Sequence, residues 1–177
     1  PGWHVRPVCG AACGVIYAIN DAFDLLWYRH DGRGDGSFRW ADNRGRKVGT
    51  GWHPKQLFSG DDGVLYALAD NADLQWFRHD GRSDGSFRWT DNAARKVGSG
   101  WSTRQAFGGG NGVIYSAADN GDLQWFRHEG RADGTFRWAD NRARVVGSGW
   151  NFAQVLYAVA DNGDLQWFRH DGRGDGS

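Results

Sequence analysis

The sequence repeats itself every 49 residues, and this repeat restricts the possible folds more than any other feature. Each unit begins with a glycine–tryptophan pair, and the pairs are Gly2–Trp3, Gly51–Trp52, Gly100–Trp101 and Gly149–Trp150. They divide the chain into units 2–50, 51–99, 100–148 and 149–177, the last of which is incomplete. A period of about 40–50 residues is typical of propeller blades and of some helical repeats. We therefore expect one domain, residues 1–177, built from tandem units.

The pattern within a unit favours β-strands over helices. In the second unit the strand-like segments are Val64–Leu68, Leu74–His79, Ser86–Trp89 and Lys96–Trp101. They are short, rich in aromatic or β-branched residues, and separated by turns containing Asp, Asn and Gly. Four strands per unit predict an all-β fold, a β-propeller of four-stranded blades. A β-solenoid or a β-sandwich is the alternative.

A blade packs against a neighbour on each of its two faces, which explains why aromatic residues occur at alternating and adjacent positions. Along the strand 74–79, Trp76 and Arg78 should point to one side, while Phe77 and His79 point to the other. We expect Trp76 and its equivalents Trp125 and Trp167 to pack between blades. Arg78 and His79 are expected to contact carboxylates of the nearby turn.

The fourth unit differs from the others because it lacks the counterpart of residues 57–63 and stops before the Phe-Arg-Trp segment. Three units and most of a fourth do not close a ring of this type. We expect a five-bladed ring, completed either by further chain or by self-assembly with another copy.

The charge balance argues against two classes of partner. The chain has 21 basic and 21 acidic residues, so it lacks the positive surface of a nucleic-acid or polybasic membrane-surface protein. No run of about 18 apolar residues is present, and we expect no membrane insertion. The two cysteines, Cys9 and Cys13, either form a local bridge or stay reduced.

Catalysis and metal binding are poorly supported. A glycosidase needs two carboxylates in different environments, whereas here the acidic residues recur with the repeat, and Glu129 replaces Asp80. We therefore expect a protein that is not an enzyme. Asp80, Asp84 and Ser86 have a spacing that would suit calcium, but Arg82 interrupts it and glycine-rich turns explain the same residues. We expect no metal and no cofactor.

Three segments around the start of the third repeat resemble the tachylectin-2-type family of propeller lectins. They are Lys96–Trp101, Gln105–Phe107 and Gly112–Tyr115. Equivalent segments recur along the chain, so the resemblance extends over all four units. It implies a non-catalytic, multivalent lectin that binds N-acetylated sugars, such as N-acetylglucosamine or N-acetylgalactosamine, in pockets between adjacent blades.

The resemblance also implies the sugar-binding residues. They are the glycine–tryptophan residues Trp52, Trp101 and Trp150, the strand tryptophans Trp40, Trp89 and Trp138, and the loop residues Asp62, Gly63, Asn111 and Gly112. Indole faces stack on pyranose rings, and polar side chains can fix the hydroxyl and acetamide groups. The first unit has Cys13 where the others have Asp62 and Asn111, so its pocket is expected to be altered.

Glycans are thus the expected partners, with no nucleic acid, and the lectin resemblance favours a secreted or extracellular location. The alternative function is a non-catalytic propeller that binds proteins or has a purely structural role.

Overall fold

The computed structural model describes residues 5–140, 142–150, 157–159 and 165–167 of the chain. The chain divides into two compact units, of which the larger is Val5–Asn151. In the smaller unit the described residues form an antiparallel pair, β13 (Tyr157–Val159) and β14 (Leu165–Trp167), with Ala158 opposite Gln166. Apart from these strands, Gly149 and Trp150, the fourth repeat lies outside the described residues.

The larger unit contains three four-stranded antiparallel sheets, each formed by strands that follow one another in the chain. The first blade comprises β1 (Val5–Gly10), β2 (Val15–Asn20), β3 (Leu25–His30) and β4 (Trp40–Gly49). The second comprises β5 (Gln56–Ser59), β6 (Val64–Leu68), β7 (Leu74–Arg78) and β8 (Arg95–Gly98). The third comprises β9 (Gln105–Gly110), β10 (Val113–Ala117), β11 (Leu123–Arg127) and β12 (Arg144–Gly147). Two short 3-10 helices, Ala12–Gly14 and Glu129–Ala132, lie in connecting loops.

The predicted all-β propeller of four-stranded blades is confirmed, but one of the four strands was assigned to the wrong segment. Ser86–Trp89 is not a strand, because Asp84 accepts hydrogen bonds from both the backbone N–H and the hydroxyl of Ser86 and holds a turn there. Phe87 is 59% exposed, and Trp89 forms only an isolated bridge with His79. The missing strand is Gln56–Ser59, which pairs with β6.

The hydrophobic cores lie between the blades. One cluster joins the first and second blades and includes Tyr17, Trp27, Val48, Trp52 and Leu65. An equivalent cluster joins the second and third blades and includes Tyr66, Trp76, Val97, Ala106 and Ile114. Each blade of a propeller therefore depends on its neighbours for burial of its apolar side chains.

A buried hydrogen-bond chain links each blade to the next. The Tyr17 hydroxyl of the first blade lies 2.8 Å from Nδ1 of His79 in the second, and Nε2 of His79 lies 2.8 Å from the Ser86 carbonyl oxygen. Because a carbonyl can only accept, Nε2 carries the proton and Nδ1 accepts from the tyrosine. Tyr66 and His128 form the same link between the second and third blades, at 2.7 Å.

The loop that follows each of these histidines is held by donors from the preceding blade. Trp27 Nε1 donates to the Arg82 carbonyl oxygen over 2.9 Å, and Trp76 Nε1 donates to that of Arg131 over 2.8 Å. In the same loops, Ser83 accepts from Arg29 and Ala132 accepts from Arg78. We call this repeated set of contacts the blade link.

The two-sided packing predicted for residues 74–79 is confirmed. Trp76 and Arg78 contact the third blade, whereas Phe77 contacts Trp52 and His79 contacts Tyr17. The expected contact of His79 with a turn carboxylate is wrong, because its ring is fully buried against the first blade; Arg78 does pair with Asp80, at 3.4 Å.

The expected packing role is confirmed for Trp76, which is 1% exposed, while Trp125 of the third blade is partly exposed. Trp167 lies on β14, whose side chains are outside the described ones.

Replacing Trp76 by alanine should lower the free energy of unfolding by about 3–5 kcal/mol, because it removes a fully buried indole and leaves a cavity. Urea denaturation measures this loss. The same substitution at Trp125 should cost clearly less, and equal losses would contradict the burial difference between the two blades.

The buried histidines predict a stability that depends on pH. Burial disfavours the charged imidazolium and lowers the pKa of His79 and His128 below the usual value, although nearby carboxylates oppose this. Below about pH 6.5 the unfolded chain therefore binds protons more readily than the folded one, so stability falls as the pH decreases.

We expect a lower urea midpoint at pH 5.5 than at pH 7.5, a range in which the carboxylates stay ionised. The double variant His79→Gln, His128→Gln is the control, since it should be less stable at pH 7.5 but should change less with pH. An unchanged pH dependence in that variant would mean that other groups cause it.

Candidate functional site

The structure brings the predicted tryptophans together in pairs between blades. Trp101 and Trp138 have ring centroids 5.8 Å apart, and Trp52 and Trp89 have theirs 5.7 Å apart. A phenylalanine completes each group: Phe126 lies 4.4 Å from Trp101, and Phe77 lies at the same distance from Trp52. Both groups lie where the last strand of one blade leads into the first strand of the next.

The backbone before Trp101 fixes the position of its indole. Strand β8 ends at Gly98, the chain turns at Gly100 with a φ of +71°, and the Trp101 N–H donates to the Ala72 carbonyl oxygen. A Cβ atom at Gly98 would touch the Trp101 Nε1 atom, so only glycine lets the ring lie against the strand end. Trp138 approaches the same strand, since its Nε1 donates to the Val97 carbonyl oxygen over 2.8 Å.

A cleft of about 320 Å³ opens beside Trp101, at the junction of the second and third blades. It combines two aromatic rings with hydroxyl and amide groups, and none of its described lining residues is charged. Its lining residues are Ser99, Gly100, Trp101, Ser102, Ser116, Gln124, Phe126 and Ala143. The volume lies at the lower end of the range of small-molecule sites, which suits a ligand of monosaccharide size.

The equivalent position between the first and second blades is more closed. Trp52 is only 9% exposed and belongs to the core cluster there, whereas Trp101 is partly exposed. His53, which replaces Ser102, stacks on Phe23 with a centroid distance of 3.9 Å, and Ala67 replaces Ser116. The two junctions therefore share an aromatic framework but differ in polarity and access.

The structure describes only part of the surroundings of the remaining predicted tryptophans, Trp40 and Trp150. Trp40 stacks on His30 with a centroid distance of 4.6 Å. Trp3, which occupies the position of Trp52 in the first repeat, is outside the described residues. The Trp150 N–H donates to the Gly121 carbonyl oxygen, as Trp101 does to Ala72.

The structure does not place the predicted loop residues in the cleft. Asp62 and Gly63 lie in the turn after β5, at the end of that strand opposite Trp52, and Asn111 and Gly112 are placed likewise after β9. Asp62 pairs with Arg131 at 3.2 Å and with Arg82 at 3.7 Å.

The two glycines of these turns instead bind the backbone of the histidines that form the blade link. Gly63 accepts a hydrogen bond from the His79 N–H, and Gly112 accepts one from His128. The two histidines in turn stack against Trp89 and Trp138.

The sequence prediction missed three cleft residues on strands β10 and β11: Ser116, Gln124 and Phe126. Ser116 lies directly opposite Gln124 in the pairing of β10 with β11, and Phe126 follows on the same face of β11. Strand alternation places Gln124 and Phe126 on the face opposite Trp125, so this face was predictable. What the pattern did not reveal was which part of that face stays open.

Hydrogen bonds within the loops change the pKa of three exposed carboxyl groups. Hydrogen bonds from Ser37, Ser86 and Thr135 lower the pKa of Asp35, Asp84 and Asp133, respectively. Burial raises the pKa of the Cys9 thiol to about 12, and both Cys9 and Cys13 are free.

Neither a metal site nor a membrane span is found in the described part of the chain. Within residues 5–140 and 142–150, no group of three or more His, Cys, Asp or Glu side chains is placed to hold a metal ion. Nor do these residues contain a helix with the length and hydropathy needed to cross a bilayer.

Comparison with known proteins identifies a matching family. The family described as Tachylectin matches residues 2–155. Among solved structures, the chain is similar to Prp20p from Saccharomyces cerevisiae, with 15% identity and a TM-score of 0.43 over 72% of this chain and 31% of Prp20p. Prp20p was described with its binding to Gsp1p and histones, but a likeness at this level carries no functional meaning. No curated protein matches the sequence.

Replacing Gly98 by alanine should displace the Trp101 indole, because the new methyl group would occupy the space of its Nε1 atom. The indole N–H resonance of Trp101 in a ¹H–¹⁵N spectrum should shift. Gly34→Ala is the control, since a Cβ there has no described atom within 4 Å, and it should leave that resonance in place. An unmoved resonance in the Gly98 variant would contradict the proposed contact.

Proposed function

Because the chain belongs to the Tachylectin family, we propose that it is a lectin that binds a neutral, N-acetylated sugar in the cleft beside Trp101. The observation that carries this proposal is the composition of the cleft, in which Trp101 and Phe126 accompany Ser99, Ser116 and Gln124. Indole and phenyl faces pack against the C–H groups of a pyranose, and hydroxyl and amide groups replace the water around its hydroxyls.

The acetamide group of the sugar fits the polar part of this cleft. Gln124 has a carbonyl oxygen and an NH₂ group, so its side-chain amide can either accept from the sugar N–H or donate to the sugar carbonyl oxygen. Phe126 and Ala143 offer apolar contacts for the acetyl methyl group. A plain hexose such as glucose lacks both contacts and should bind more weakly.

The absence of charge in the cleft lining favours a neutral sugar over an acidic one. A sialic or uronic acid carries a carboxylate that would lose water on binding, and none of the lining side chains is a cation that could compensate for this loss. N-Acetylglucosamine and N-acetylgalactosamine are therefore the proposed ligands.

A single cleft should bind such a sugar weakly. At about 0.3 kcal/mol for each of roughly 15 non-hydrogen atoms, the binding free energy is about −4.5 kcal/mol, a Kd near 0.5 mM. We propose that Trp52 and Trp150 also contact sugars, and that a five-bladed ring displays these sites together. Simultaneous binding to a surface glycan can raise avidity by about 10²–10⁴. Such glycans are extracellular, and we propose that the protein acts there.

Titration calorimetry with N-acetylglucosamine and N-acetylgalactosamine tests the proposal, with glucose as the comparison sugar. Trp101→Ala should remove binding at the open cleft, because the stacking surface is lost. Phe136→Ala is the matched control: it also removes an aromatic ring, but one that is 61% exposed and lies outside the cleft lining. This variant should bind as the unmodified chain does.

Absence of heat with both acetamido sugars would contradict the lectin proposal and favour a propeller that binds proteins. An unchanged number of binding sites in Trp101→Ala would support a lectin but would place this site elsewhere.

A further inference from the structure

One hydroxyl group in the lining of the cleft beside Trp101 is almost fully buried and has no protein partner. Ser116 lies on β10 and is only 1% exposed, and its small exposed surface faces the cleft. Its backbone pairs with Ala106 and Gln124, but its hydroxyl has no hydrogen bond within the described part of the chain. Buried polar groups are almost always hydrogen-bonded. The partner of this hydroxyl therefore comes from solvent or from a ligand that enters the cleft.

The other polar residues of the described lining differ from Ser116. The Ser102 hydroxyl donates to the Asp119 carboxylate over 3.1 Å. Ser99 is exposed to water, and Gln124 is half-buried. Ser116 is thus the polar side chain of this lining that is both deeply buried and without a protein partner.

The fold does not require a hydroxyl at this position. The equivalent residues of the other three repeats are Ala18, Ala67 and Ala158. Ala18 and Ala67 are 0% and 2% exposed, and Ala67 belongs to the core cluster between the first and second blades. A methyl group therefore suits this position of a blade, and Ser116 adds a polar group where the other repeats have none.

The residue opposite Ser116 indicates what its hydroxyl binds. Ser116 lies directly opposite Gln124 in the pairing of β10 with β11, and both line the cleft. A trans secondary amide has its N–H and its carbonyl oxygen on opposite sides, so one side chain satisfies only one of them. If Gln124 accepts from the N–H of a sugar acetamide, the carbonyl oxygen needs a separate donor, since an unpaired buried carbonyl is costly. The Ser116 hydroxyl can supply that donor.

We propose that Ser116 determines the specificity of the cleft, because its hydroxyl donates to the acetamide carbonyl oxygen and so favours N-acetylated sugars over the parent hexoses. This inference rests on the proposed function, since it assigns recognition of the acetamide within the same cleft. Stacking on Trp101 is available to both kinds of sugar, whereas only the acetamido sugar brings an acceptor for Ser116. A site that hydrogen-bonds one group of its ligand discriminates against an analogue that lacks this group.

Titration of the full chain and of Ser116→Ala with N-acetylglucosamine and with glucose tests the proposal. The indole N–H resonance of Trp101 in a ¹H–¹⁵N spectrum reports on this cleft, whichever other sites bind sugar. In Ser116→Ala the Kd for N-acetylglucosamine should rise about tenfold, as expected for one lost hydrogen bond. The Kd for glucose should change by less than about twofold, because glucose has no acetamide to lose.

Ser83→Ala is the matched control. It also removes a serine hydroxyl, but outside the cleft lining and at a position where the third repeat has Ala132. Both Kd values should stay unchanged in this variant.

Urea denaturation without sugar provides a second measurement. Ser116→Ala should have a midpoint equal to or above that of the unmodified chain, because the methyl group of alanine needs no hydrogen-bond partner. A clearly lower midpoint would overturn the proposal, since the hydroxyl would then stabilise the fold.

The sugar titrations separate this proposal from the lectin proposal. If neither N-acetylglucosamine nor N-acetylgalactosamine shifts the Trp101 resonance of the unmodified chain, sugar binding in this cleft is wrong and the role of Ser116 is wrong with it. If the unmodified chain binds N-acetylglucosamine there and Ser116→Ala keeps the same preference over glucose, only the role of Ser116 is overturned.

Discussion

The buried hydrogen bond between a tyrosine of one blade and a histidine of the next is the interaction on which the other features depend. Each imidazole accepts from the tyrosine hydroxyl and donates to a carbonyl of its own loop, so a single neutral ring fixes both the blade and the loop. A tryptophan also packs on each imidazole ring, Trp89 on His79 and Trp138 on His128. Those tryptophans in turn pack on Trp52 and Trp101, respectively. The buried core therefore fixes the positions of the aromatic rings at the candidate site.

The cleft is therefore a property of a junction rather than of a blade. Trp101 belongs to the connection between two blades, whereas Ser116, Gln124 and Phe126 belong to the face of the second member of the pair. Once the blade links fix the spacing of the blades, a single difference between repeats can change the access and polarity of the cleft without changing the framework. An example is Ser116 in the third blade, where the second blade has Ala67. A repeat of this kind can thus keep one fold while its sites differ.

The repeat and the alternation of strand residues were enough to predict the blades and their two-sided packing. They did not predict features that depend on particular side-chain contacts, including contacts between residues far apart in the sequence. His79 was expected to meet a turn carboxylate, but its partner is Tyr17, 62 residues earlier in the chain. Ser86–Trp89 alternates as a strand does, yet the hydrogen bonds that Asp84 accepts from Ser86 make it a turn. Asp62 was grouped with Trp52 by motif, although β5 separates them.

A crystal structure of the chain with N-acetylglucosamine tests the central claim most directly, because it locates the sugar as well as detecting it. The account predicts a pyranose beside the Trp101 indole, with its acetamide group within hydrogen-bond distance of the Gln124 amide. A sugar bound instead at the Asp62 or Asn111 turns, or an empty cleft at saturating sugar concentration, would contradict the account.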